Sequence, residues 1–253
     1  PSDAGVHGHV ESRLVSFRPI TPQDYPSLNP FFKNQRYRLC AYSLPSVLAW
    51  SNESYQPYGK QMGATLLISA EFSQKPENRH LILPVSPTDE FPPESLRDVA
   101  IDHGFDAYWW VSEEYLDRYG RSTVNSYFKI EEQAEYADYI YLTEDLATLK
   151  GNRYSKKRNL INQFVREYVD EKRVSLEPIQ GAAADECISF LEKWCAARDC
   201  GAVPGDDLDC EKQAAINTIE NIDVLGVKGM LARIDGEVCA FGVASHLTAD
   251  MGV

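Results

Sequence analysis

The sequence has no run of about 18 consecutive apolar residues, the length that a membrane-crossing helix requires, so no membrane span is expected. Its first dozen residues are polar, carry Gly5, His7, Gly8 and His9, and lack the apolar centre of a secretory signal. They are expected to form a loose tail over residues 1–13. Nucleotide-loop patterns are missing too. Neither G-x-x-x-x-G-K-[ST] nor G-x-G-x-x-G occurs, and Gly59 and Gly63 around Lys60 fit neither. There is no H-E-x-x-H and no G-x-S-x-G, which removes the common zinc-hydrolase and serine-hydrolase signatures. The five histidines are scattered, and the Asp206, Asp207, Asp209 group lacks calcium-loop spacing, so no metal site is expected. Six cysteines, at 40, 187, 195, 200, 210 and 239, form no C-x-x-C pair. Cys187 and Cys195 fall on the apolar face of an expected helix and read as buried thiols, which points to a reducing, cytoplasmic setting.

What the chain does contain is enough for a core. It has 253 residues, 43% of them hydrophobic, with 4 Trp, 14 Tyr and 10 Phe. A net charge of −13 excludes a general nucleic-acid or membrane-surface binder, because both surfaces are anionic. The charge is unevenly spread. Residues 150–173 hold eight basic side chains against Glu167, Asp170 and Glu171, a local +5 that leaves −18 for the remainder.

Residues 14–18 read as a strand, and Thr21 followed by Pro22 as a helix opening. Residues 43–50 read as a helix and the Tyr/Pro/Gly-rich stretch up to Gly63 as a loop. Residues 64–69, 80–85, 107–111, 124–130 and 137–142 are strand-like, rich in β-branched and aromatic side chains. Helices are expected over 92–103, after Ser112, and after Thr143 up to the break at Gly151. Tyr108-Trp109-Trp110 reads as core rather than as an aromatic platform, and His103 as a helix-end residue. Ser155 is the next candidate cap, and Leu160, Ile161, Phe164, Val165, Tyr168 and Val169 recur at helical spacing, an amphipathic helix over about 155–171. Then follow a strand over 174–179, a helix over 182–198 with Ile188, Leu191, Trp194 and Cys195 inward, a loop over 201–207, and a helix capped by Asp209. A hairpin closes the pattern: Asp235-Gly236 between apolar runs is a strong two-residue turn signal. Strands and helices in both halves imply an α+β (mixed α/β) fold, with a boundary near residue 172.

The most informative stretch is Lys150 to Asn159. Cations at a helix N-terminus oppose its dipole and cost a few tenths to about 1 kcal/mol each. Arg153, Lys156, Lys157 and Arg158 crowding one helix start are unfavourable unless an anion joins them, and the unpaired first-turn N–H groups would help to hold a phosphate or carboxylate, with Asn159 beside them. A solvated basic face, or pairing with acids elsewhere in the chain, remains open. Glu211, at the start of a later helix, is either a helix-end charge or a site carboxylate.

Tyr139 to Gly151 and then Tyr154 to Phe164 resemble the central signature of a bacterial family related to the phosphatidylglycerol lysyltransferase C-terminal domain. Residues 43–50 with Tyr55 resemble its N-terminal signature. Trp194-Cys195, Glu211 with Ala215-Ile216, and Gly236 with Ala240-Phe241 match later positions, so the resemblance spans roughly residues 15–245. The family is similar to the Fem-type peptidyltransferases. The resemblance implies two tandem GNAT-like acyl-CoA N-acyltransferase domains, 14–172 ending in the basic helix and 173–253 beginning the second. It also implies transfer of an acyl or aminoacyl group from acyl-CoA or aminoacyl-tRNA to an amine or a lipid hydroxyl. No GNAT pyrophosphate loop is visible in the sequence, which keeps a non-catalytic binding module for an anionic ligand or protein partner as the alternative. The family pattern runs on past the position of Val253 through further strands and an Asn-Arg-Glu stretch, so the second domain is expected to be incomplete here. Contact with extended nucleic acid is not expected, since eight cations in an acidic chain reach at most a tRNA end.

Overall fold

The structure is a computed structural model that describes residues 16–52, 55–73, 75–198 and 207–253, with side chains from residue 211 onward in the last stretch. The expected strand at 14–18 falls partly outside these residues, as do the tail, the 201–206 loop, and the side chains of Asp206, Asp207, Asp209, Cys200 and Cys210.

Among the described residues the fold is mixed α+β with two antiparallel sheets. The first half supplies β1 (Arg18–Pro19), α1 (Tyr25–Leu28), α2 (Leu44–Ala49), β2 (Tyr55–Met62), β3 (Thr65–Phe72) and β4 (His80–Leu81). It continues with α3 (Pro93–His103), α4 (Glu113–Tyr119), α5 (Arg121–Asn125), α6 (Thr143–Thr148) and α7 (Ser155–Phe164). After residue 172 come β5 (Val174–Pro178), α8 (Ala182–Ala196), α9 (Asp207–Glu220), β6 (Lys228–Ile234) and β7 (Glu237–Ala244). One sheet has the order β1-β2-β3-β4, the other β5-β6-β7.

The centre of the first sheet is β3. Residues 65–70 are buried without interruption, as a strand covered on both faces should be, and they read as a continuous run rather than an alternation. The expected loop before Gly63 is in fact β2, paired with β3 from Tyr55↔Phe72 to Met62↔Thr65. Proline lacks a ladder donor and is confined to edges and strand ends. Pro57 stands where the β1 ladder ends: its carbonyl accepts the Ile20 N–H at 3.1 Å, and the Ile20 carbonyl, which a proline cannot serve, meets Gln56 Nε2 at 3.4 Å. The 124–130 strand is also corrected. Val124 instead buries itself from α5, its N–H bonded to the Gly120 carbonyl at 3.0 Å. Residues 107–111 contribute one bridge, Leu81↔Tyr108, and 137–142 pair with nothing in either sheet.

Helix ends follow local chemistry. Thr21 and Asp24 form a capping box around a single tight turn, with Thr21 N–H on Asp24 Oδ2 at 2.9 Å. Ser112 Oγ accepts the Tyr115 N–H and opens α4. Asp235 and Gly236 take φ of 52° and 88°, the left-handed pair that a two-residue hairpin between β6 and β7 requires.

The main core gathers Ile20, Tyr42, Leu48, Leu66, Ile68 and Leu83 with Leu225 and Leu247 from the second half. A second cluster joins Ile179, Cys187, Ile219, Ile222 and Leu231. The halves are also tied by polar contacts. Asn217 Nδ2 donates to the Ala49 and Ser51 carbonyls at 2.9 and 2.7 Å, and the Ser43 and Ser245 hydroxyls meet at 3.1 Å. Cys187 and Cys195 are buried as expected, whereas Trp194, expected inward, is 41% exposed.

Candidate functional site

The basic stretch leads into α7 through a tight turn at Asn152–Tyr154. Gly151, at φ 98°, makes the break between α6 and that turn. Ser155 is already helical, so it is the first residue of α7 rather than its cap, and no side chain caps the helix. Past Phe164 the coil widens into a π-helical turn at Val165–Val169 before the chain enters β5.

The cations divide into two groups. Arg153 is ion-paired with Asp145 and its guanidinium lies 4.7 Å from the Tyr154 ring centre. Arg158 donates to the Leu149 and Gly151 carbonyls, the latter at 2.7 Å, and thereby closes the end of α6. Arg173 is held by Asp235, in the turn that joins β6 to β7. Lys150, Lys156 and Lys157 are exposed, and among the described residues none forms an ion pair. Asn159 is exposed beside them. Glu211 is exposed on α9, and no hydrogen bond or ion pair joins it to the basic residues. The two arginines therefore build the turn, and three lysines remain for a ligand.

The apolar stripe of α7 does not face the core. Leu160 is 65% exposed and Ile161 49%, with Phe164 and Val169 also exposed, and Phe164 meets the Tyr168 ring in a tilted arrangement with centroids 5.3 Å apart. The strand-like 139–142 segment is still more open, with Tyr139 at 88% and Leu142 at 70%.

A cleft of about 690 Å³ lies elsewhere, between the chain that follows α1 and the turn at 245–250. Tyr25, Asn29, Arg36, Arg38, Ser245 and His246 are among the residues that line it. Arg38 spans the halves to Asp250 at 3.0 Å, and Arg36 is drawn to Glu90. Its volume is that of a small-molecule site. No sequence motif announces these residues, because they meet only through packing across some two hundred positions.

Two groups, the buried His80 and the surface Cys40, are chemically quiet. His80 is fully buried, stacked on Trp109 at 4.3 Å, with Nδ1 on the Asn78 carbonyl and Nε2 unpartnered; burial pushes its pKa down to about 4 and keeps it neutral. Burial and, after it, the neighbouring Asp138 push the Cys40 thiol up to about 12, which leaves it without thiolate reactivity at neutral pH. No group of three metal-ligating side chains occurs among the described residues. No helix among them is long and apolar enough to cross a membrane.

Comparison with known proteins gives this arrangement a lineage. The crystal structure of a conserved protein of unknown function from Bacteroides thetaiotaomicron VPI-5482 superposes with a TM-score of 0.74 at 25% identity, over 92% of this chain and 76% of that one. No curated protein matches the sequence. The family described as phosphatidylglycerol lysyltransferase, C-terminal, matches residues 82–252, from the end of the first sheet through the basic turn and both hairpin strands. The chain belongs to the phosphatidylglycerol lysyltransferase C-terminal family.

Proposed function

We propose that the protein is an acyl or aminoacyl transferase built from two GNAT-like domains in tandem, residues 14–172 and 173–253, and active in the cytoplasm. The donor is acyl-CoA or aminoacyl-tRNA and the acceptor an amine or a lipid hydroxyl. The observation that carries the reading is the trio Lys150, Lys156 and Lys157, left without carboxylate partners around a helix start while their arginine neighbours are used structurally. Three unpaired cations there oppose the helix dipole, and a phosphate of donor or acceptor relieves that cost. The family membership supports the group-transfer class. Transfer also needs a second ligand, and the cleft beside Arg36 and Arg38 offers a place of suitable size.

The chemistry is attack of a nucleophile on an activated carbonyl, with a base to take its proton and N–H donors for the oxyanion. The test is a thermal-shift screen against CoA thioesters, aminoacyl-tRNA and anionic lipids, repeated with Lys156→Ala/Lys157→Ala. The double variant should keep its melting temperature and lose most of the ligand-induced shift. An undiminished shift would refute the lysine site.

A second reading is a GNAT-like binding module without turnover. The missing pyrophosphate loop favours it. Ligand-induced stabilisation with no acyl transfer from any donor would decide for it.

A further inference from the structure

The cleft between the chain after α1 and the 245–250 turn is polar, yet each of its cations already has an acid. Arg38 Nη2 meets Asp250 Oδ2 at 3.0 Å, and Arg36 is paired with Glu90. No lysine lines the cleft. A phosphate would have to take the place of those carboxylates, whereas on the basic turn three lysines stand open to it.

The groups that the cleft leaves unengaged are neutral. Among the described residues, no hydrogen bond within the chain reaches Tyr25 Oη, the side-chain amides of Asn29 and Asn34, or the His246 ring, and all four line the same concavity. Singly, such groups on a surface are simply solvated; gathered in a cleft of about 690 Å³ they orient a ligand. Gly226 makes room for one of them. A Cβ at that position, where φ is 63°, would lie 2.6 Å from Tyr25 Oη, so the bare backbone of the second half lets the phenol of the first stand in the wall. Burial raises the Tyr25 pKa above its ordinary value of 10, and the hydroxyl both donates and accepts at neutral pH.

This set of groups selects the ligand. The Arg38–Asp250 pair puts an N–H donor beside a carboxylate acceptor, the complement of two adjacent hydroxyls, each of which can donate and accept. Thr248 donates to Asp250 Oδ1 at 2.7 Å and, with Arg38 after it, holds that carboxyl below its usual range, so it stays an acceptor. The side-chain amides of Asn29 and Asn34 also offer both functions. The partly buried rings of Tyr25 and Phe32 add apolar surface for C–H groups. A small zwitterion would match the ion pair but leave the amides and the rings without a counterpart.

We propose that this cleft binds a neutral polyhydroxylated ligand, a sugar of mono- to disaccharide size, with adjacent hydroxyls on Arg38 and Asp250 and the others on Tyr25, Asn29, Asn34 and His246. The inference rests on the proposed function in one respect, that the cleft takes the second ligand; binding of the sugar needs no acyl transfer.

The experiment titrates the 253-residue chain with maltose, cellobiose, diacetylchitobiose and myo-inositol, read by saturation-transfer difference NMR and by calorimetry, with inorganic phosphate and free alanine as competitors. At least one of the four should saturate the protein at millimolar concentration or below, and neither competitor should displace it. Tyr25→Phe and Asn29→Ala each remove a polar group that holds nothing else in place, so each should keep the wild-type melting temperature and weaken binding roughly 3–10-fold, the share of one hydrogen bond. Arg38→Ala should weaken it about 10-fold or more, because its donor is charged. Lys156→Ala/Lys157→Ala should bind the sugar as the wild type does, which separates this site from the lysine site. No saturation by any of the four at millimolar concentration would overturn the proposal, whatever the lysine variant does in the phosphate-ligand screen. So would undiminished binding by a Tyr25→Phe/Asn29→Ala double variant, or displacement of the sugar by phosphate or alanine.

Discussion

Gly229 sits in β6 against the second core cluster, and replacing it with alanine sets two opposing effects against each other. A Cβ there would lie 2.7 Å from Ile222 Cδ1, 2.8 Å from Ile179 Cδ1 and 3.0 Å from Ile179 Cβ. Ile179 cannot retreat easily, because its N–H is bonded to the Gly229 carbonyl at 3.0 Å and its side chain is 3% exposed. The backbone at 229 is not left-handed, so alanine is conformationally allowed, and the reduced freedom of the unfolded chain favours the variant by about 0.4–1 kcal/mol. Overpacking opposes it by about 1–3 kcal/mol. Sterics win, and Gly229→Ala should lose about 0.5–2 kcal/mol, read by urea denaturation as a lower midpoint at unchanged slope. Ile179→Val and Ile222→Val each remove the offending Cδ1. In the wild type each should cost about 0.5–1.5 kcal/mol, but in the Gly229→Ala background markedly less. A stabilised Gly229→Ala protein, or valine substitutions costing the same in both backgrounds, would refute the reasoning.

Asn217→Ala removes the amide that satisfies the Ala49 and Ser51 carbonyls across the halves; it should cost about 1–2 kcal/mol and lower the melting temperature by about 2–8 °C in a calorimetric scan. His80, neutral in the fold with a pKa near 4 against 6.5 when unfolded, gives stability that is complete above about pH 6.5 and lost as pH falls toward 4. Between pH 7 and 4.5 the wild type should therefore lose about 2–3 kcal/mol more than His80→Phe in denaturant titrations, and parallel losses would exclude the histidine as the cause.

Much of the fold was readable where a local signal has a unique physical outcome. Asp235-Gly236 could satisfy two adjacent left-handed positions and little else, and α2, α3 and α8 lie within the segments expected to be helical. β2 was hidden because Pro57 and Gly59 are poor strand formers; only the pairing partners on either side make them acceptable, and partners are not a property of the segment. For α7 the period was correct, but a hydrophobic stripe states which residues share a face and not whether the core lies on that side. The candidate site shows the same split. The five cations from Lys150 to Arg158 were visible as composition, yet which are spent on Asp145 and on the carbonyls of 149 and 151, and which remain for a ligand, depends on a turn geometry that spacing does not encode. Arg38 meets Asp250 in the cleft only once both halves are folded.

The presence of Leu247 in the same cluster as Ile20 has a consequence for biosynthesis. At about 5–20 residues per second, roughly 10–45 s separate the two residues leaving the ribosome. During that interval the four-stranded sheet holds an unfilled socket, open to chaperones or to its own neighbours. Native closure waits for Leu247 to be synthesised.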